Sequence, residues 1–173
     1  METFLEILKY TLPSLIVFGT AYLIIKSFID NDQKKRKIEM RLANQKTITP
    51  IKLQAYERLT LFLERISPES MIVRIQDPKM SSGFLHQALL KTIRAEYEHN
   101  LSQQIYVSAN AWAVVKTAKE NVVKLVNNSA DRVDRKSPSF ELSKVILETM
   151  MSNNIMPTNT AIDFLKKEVS NYF

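Results

Sequence analysis

Apolar residues open the chain without leaving a polar face. From Tyr10 to Ile25 the sequence YTLPSLIVFGTAYLII is uncharged, and apolar positions on either side extend it to a 23-residue stretch, 7–29, with Lys9 and Lys26 near its ends. A helix buried on one side would show a polar stripe every 3.6 residues. This stretch shows none, and its length matches the ~20 residues that cross a bilayer core. The lysine stems can carry their ammonium groups out to the headgroups, and Tyr10 and Tyr22 sit where interfacial aromatics are expected. A cleaved signal sequence would have cations before the apolar run and small residues after it. Here Glu2 and Glu6 precede the run, and Asp30, Asn31, Asp32 and a lysine block follow. Residues 1–30 therefore read as an uncleaved transmembrane anchor, with Pro13 starting or kinking its helix.

Past the span the pattern becomes helical. Residues 33–48 (QKKRKIEMRLANQKTI) are good helix formers with few apolar positions, and 31–49 reads as a helical, basic stalk. Thr49-Pro50 predicts a fresh helix start, since Thr can N-cap and Pro is favoured at the first helical position. Helix 50–66 then sets Tyr56, Leu59, Phe62, Leu63 and Ile66 on one stripe. Ser67-Pro68-Glu69 repeats the start signal for a short helix over 68–75, where Met71-Ile72-Val73 would also suit a strand, and Asp77-Pro78 ends it. Ser81 caps a helix over 82–100 with the stripe Leu85, Ala88, Leu89, Ile93, Tyr97. Residues 100–107 form a connector, extended at Ile105-Tyr106-Val107. Ser108 caps a long helix to about Val133, along which Trp112, Val115, Lys119 (through its stem), Val122 and Val126 share one side. Helix 138–152 buries Phe140, Val145, Ile146 and Met150 and ends at Asn153-Asn154. A last helix carries Ala161, Phe164, Leu165 and Val169 inward.

Composition supports an all-α fold: an N-terminal transmembrane helix, a helical basic stalk and a compact multi-helix domain over 50–173. The chain has only two glycines, Gly19 and Gly83, too few for the closely spaced turns of a β fold. It has no cysteine, which removes disulfides, thiolate metal sites and cysteine nucleophiles.

Charge changes the picture in one place. The chain nets +6, but residues 34–46 alone set six cations against Glu39, for a local +5. The basicity belongs to the stalk and not to the domain, which weakens a nucleic-acid reading. Lys34, Lys35, Arg36, Lys37 and Arg41 lie where anionic lipid headgroups would attract them, each by about 1 kcal/mol. By the positive-inside rule the same cations place the domain in the cytoplasm and the N-terminus outside, across the inner membrane.

The segments AYERLTLFLERI (55–66) and EYEHNLSQQIYVS (96–108), with the Trp112 helix, resemble an uncharacterised family of small bacterial single-span membrane proteins with a helical cytoplasmic domain. The resemblance covers most of the chain and implies that topology. It brings no activity and no functional residues. Ser108-Ala109-Asn110-Ala111 is less acidic than the corresponding start of the Trp helix in the family, which argues against a capping box there.

Candidate chemistry is sparse. Glu96 and His99 form one Glu-x-x-His, whereas a di-iron bundle needs two copies and further glutamates; His86 has Gly83 three residues before it and supplies no second copy. Glu96, Glu98, Lys91 and Arg94 read as a solvated helix face, and no glycine-rich loop offers a phosphate cradle. Trp112 reads as core, with partner anchor as the alternative because Trp is enriched in binding hot spots. Met150-Met151 and Met156 read as core filling, with an adaptable groove as the alternative.

No catalytic, metal or cofactor residues are expected. The sequence points to a non-enzymatic, membrane-tethered adaptor or scaffold that presents an interaction domain to a protein partner. The alternative is a small accessory subunit of a larger membrane complex; an enzyme or a membrane-attached nucleic-acid binder ranks below both.

Overall fold

The computed structural model describes residues 1–152 and 156–171, and the side chains of these except 2–8 and 12. Six α-helices account for most of them: α1 (Glu2–Arg65), α2 (Pro68–Ile75), α3 (Ser82–Asn100), α4 (Ala109–Ala130), α5 (Ser139–Ser152) and α6 (Asn159–Ser170). A 3-10 turn over Leu101–Ile105 links α3 to α4. Among the described residues there is no strand, only an isolated antiparallel bridge between Ser81 and Pro138. The fold is all-α, and 68–75 is helix. The chain divides into two compact units, Met1–Thr49 and Pro50–Phe173.

Neither Pro13 nor Pro50 starts a helix. Pro13 lies inside α1 and does not start it, and α1 passes through Thr49-Pro50 without restarting. Each proline removes one N–H from the helical ladder. The flanking stretch 33–48, rich in Lys, Arg, Glu and Gln, favours helix strongly enough to carry the chain past that loss. The division between the two units falls at this same pair.

In the first unit the large apolar side chains from Leu15 to Ile29 all stay exposed. Two hydroxyls of this segment bond within the helix: Ser14 Oγ donates to the Thr11 carbonyl at 2.7 Å and Thr20 Oγ1 to the Val17 carbonyl at 2.9 Å. Such back-bonding spares these two hydroxyls the need for water.

In the second unit the stripes converge on one core. Leu59, Phe62 and Leu63 from α1, with Ile66 just past its end, meet Met71 of α2, Leu85, Leu89 and Ile93 of α3, and Val115, Val122 and Val126 of α4. Leu142 and Ile146 of α5 and Leu165 of α6 complete it. α3 packs on α2, α4 and α5, α4 packs on α3, α5 and α6, and α2 also packs on α5. Burying each large apolar side chain contributes about 1.5–3 kcal/mol.

The caps fix the helix starts. Ser81 Oγ accepts from the Phe84 N–H at 3.3 Å, and Ser108 Oγ from the Ala111 N–H at 3.0 Å. With Ala111 at the third helical position, Ser108 caps without a reciprocal glutamate. Ile105-Tyr106-Val107 is not extended. The Tyr106 N–H turns back to the Gln103 carbonyl at 3.0 Å, so local hydrogen bonding overrides the β-branched pattern. α4 ends at Ala130, short of Val133, as Arg132 and Val133 donate three residues back to Ser129 and Ala130. Phe140 is exposed, 61% by relative area, and not buried. The inward row of α5 is Leu142, Ile146 and Met150, and a residue two positions before Leu142 points away from it. Val145 is half-buried. The expected helix end at Asn153-Asn154 lies outside the described residues.

A fragment from Thr49 to Phe173 is expected to fold alone, because its core draws on no residue before Tyr56. Far-UV circular dichroism dominated by helix, with one cooperative melt, is the expected result. A disordered fragment would favour the obligate-subunit reading instead.

Candidate functional site

Two regions carry the residues of interest. The first is the basic block of α1. Lys34, Lys35, Arg36, Lys37 and Arg41 are all exposed. Consecutive helical residues advance about 100° each, so Lys34–Lys37 form a collar around the axis and not a stripe on one side. Arg36 Nε lies 2.7 Å from Asp32 Oδ2, one turn back. An exposed pair of this kind contributes little to stability. It does trim the free positive charge at Arg36, leaving Lys34, Lys35, Lys37 and Arg41 as the open cations.

The second region is the surface of the domain. Trp112 is half-buried, and its ring stacks on Tyr97 with centroids 5.7 Å apart and planes at 24°. Tyr97 in turn meets Phe62 at 6.0 Å, and Lys119 Nζ sits 4.4 Å above the Tyr97 ring. The ladder ties α1, α3 and α4 together and commits one face of Trp112 to Tyr97. Burial, then the nearby Glu120 carboxylate, holds the Tyr97 phenol above its ordinary pKa, so it stays neutral throughout the physiological range. Lys119 had been placed on this side for its stem; the structure also gives its ammonium a cation–π partner.

The polar residues singled out in the sequence are engaged locally. Glu96 accepts from Arg65 Nη2 at 2.6 Å, joining α3 to the end of α1. His86 Nε2 and Asn127 Oδ1 are 2.8 Å apart, joining α3 to α4. His99 is exposed in the last turn of α3. The starts of α3 and α5 lie side by side and satisfy their own donors: the Ser82 and Gly83 N–H groups reach the Ser137 and Arg135 carbonyls, and the Ser139 N–H reaches the Met80 carbonyl. Gly83 fits closely there: a Cβ would come 3.1 Å from the Arg135 carbonyl oxygen, so a larger residue would need the neighbouring backbone to give by a few tenths of an ångström. At α3 the Phe84 and Leu85 N–H groups are also taken, by the Ser81 side chain and carbonyl, so that helix start has none to spare for a phosphate. Among the described residues, no three His, Asp or Glu side chains gather as metal ligands.

Among the described residues, the domain surface includes two apolar grooves. One, of about 510 Å³, runs between α4 and the start of α6, with Val114, Ala118 and Met156 in its walls. The methionines divide: Met150 is buried, Met151 is exposed, and Met156 lines this groove. The other, of about 440 Å³, lies between residues 53–61 of α1 and residues 165–169 of α6. Leu53, Leu61, Leu165 and Val169 line it, with Glu57 on one wall and Lys166 on the other. Sequence reading missed this second groove. Its one visible sign was Leu61, an apolar residue off the inward stripe of α1.

A family of unknown function, DUF7935, matches residues 2–172, which take in the apolar segment, the basic stretch after it and the helical domain. The chain belongs to that family. No curated protein and no solved structure matches it. The match covers the apolar segment and the helical domain alike and assigns no role to either.

Proposed function

We propose that this chain is a bacterial, single-span, membrane-tethered adaptor or scaffold without catalytic activity. Its anchor crosses the inner membrane and its domain faces the cytoplasm. The observation that carries the reading is the exposed apolar surface of α1: within Lys9–Arg65 an 18-residue window reaches a mean hydropathy of 1.8, with none of it buried. Ten large apolar side chains between Leu15 and Ile29 lie exposed on all sides of one helix. Water would penalise that surface by about 25 cal/mol per Å², whereas a bilayer accepts it. The collar Lys34–Lys37 follows directly and favours the cytoplasmic side for the C-terminal domain.

The domain supports an interaction role over an enzymatic one. Its charged and polar candidates, Glu96 and His86, serve as ties between helices, and two grooves on its surface are mainly apolar. Tethering would raise the domain's effective concentration toward membrane-bound partners. A reporter fused after Phe173 is expected to behave as cytoplasmic, and the intact chain to resist carbonate extraction. Periplasmic reporter activity, or release as a soluble shortened chain, would overturn the reading.

A further inference from the structure

The groove between α1 and α6 is complementary to itself. Leu61 stands at its lip with 61% of its surface exposed, next to a floor that includes Leu53, Leu165 and Val169. A lone exposed leucine on a helix needs no explanation; one beside an apolar groove supplies a projection and a recess on the same surface. The walls carry opposite charges, Glu57 on α1 and Lys166 on α6. Neither forms an ion pair among the described residues. In a two-fold pair each patch meets an identical patch, so any group at one point must suit the group facing it.

We infer that a second copy of this chain docks at the groove, with Leu61 of each copy entering the other's groove and Glu57 of each facing the partner's Lys166. A foreign helix would have to bring both charges in the right order, whereas a second copy brings them by symmetry. Eight residues line the groove, against roughly 20–30 on each side of a stable interface. Pairing is therefore weak in dilute solution and is strengthened where copies share a membrane. That strengthening rests on the tethered reading above.

The test uses the full chain. It contains no cysteine, so a single Asn128→Cys on the exposed side of α4 carries a donor or an acceptor dye. Energy transfer is measured in phosphatidylcholine vesicles and, separately, in mild detergent. Wild-type copies are expected to transfer above the random level, more strongly in vesicles. Glu57→Lys alone and Lys166→Glu alone should each weaken self-association at least about tenfold, because like charges then face each other across the interface. Donor-labelled Glu57→Lys mixed with acceptor-labelled Lys166→Glu should recover association to within about threefold of wild type, since both cross-pairs are then attractive. Wild-type transfer at the random level in both media would overturn the pairing and leave the groove to another partner; a mixture no better than the single variants would overturn it too. Failure of the labelled chain to float with vesicles counts against the membrane reading alone, because the detergent measurement still decides the pairing.

Discussion

Leu89→Asp is expected to abolish the cooperative melt of the domain. Leu89 lies at mid-α3 with no exposed surface, in the core shared by α3, α4 and α5. Losing a buried leucine costs about 2–5 kcal/mol in transfer and cavity terms. An unpaired carboxylate in the same place adds several more, or binds a proton to escape the penalty. A domain of this size has a total stability of about 5–15 kcal/mol, so one substitution consumes most of it. Phe62→Asp should act similarly: Phe62 is 1% exposed and also supports the Tyr97 ring. Val73→Asp, on a side chain 85% exposed in α2, should shift stability by no more than about 0.5 kcal/mol. Thermal unfolding followed by circular dichroism separates the three. Melting of Leu89→Asp within a few degrees of wild type would mean that α3 does not bury this face.

What the sequence made legible was whatever one-sided burial writes at a 3.6-residue period. Tyr56, Leu59, Phe62, Leu63 and Ile66 were readable because their spacing records which side of the helix faces inward, and all five are buried. Ser81 and Ser108 were readable because a cap is a local event, a side-chain oxygen meeting an N–H three residues on. Local signals misled where a longer-range preference outweighed them. Pro50 looked like a helix start, yet good helix formers on both sides carried the ladder through it. Phe140 looked like core because it is large and apolar, but the row set by Leu142 and Ile146 points it away.

The surface features divide along the same line. The collar at Lys34–Lys37 is a run of adjacent residues and is visible in composition alone. The α1–α6 groove is assembled from positions about a hundred residues apart, and no local pattern marks it. The stack of Trp112 on Tyr97 under Lys119 is intermediate. Each residue lay on a predicted inward stripe, but the ring contact depends on how α3 and α4 meet.

The basic collar should determine where the stalk binds. Residues 34–46 set six cations against one acid, a net +5, while residues 49–173 set 16 against 13, a net +3 spread over a whole domain. At about 1.5 Å per residue, Lys34 to Lys37 lie roughly 8–12 Å beyond Ile29 along α1, and Lys46 about 25 Å beyond it. Screening at physiological salt acts over about 8 Å, so if residues 7–29 cross a bilayer the collar is the part nearest the reach of its headgroups. A fragment starting at residue 33 is expected to bind phosphatidylserine-containing vesicles, and one starting at Thr49 to bind at least about tenfold more weakly, given about 1 kcal/mol per cation near the surface. Replacing Lys34, Lys35, Arg36 and Lys37 together by Gln takes the segment from +5 to +1 and should nearly abolish binding. Added salt should weaken the wild-type fragment in the same direction. If the target were nucleic acid, the fragment from Thr49 would retain DNA or RNA binding with a steep salt slope. That outcome, together with no preference of the longer fragment for anionic over neutral vesicles, would overturn the lipid reading, because the charge that matters would then lie on the folded domain and not on the collar beside the span.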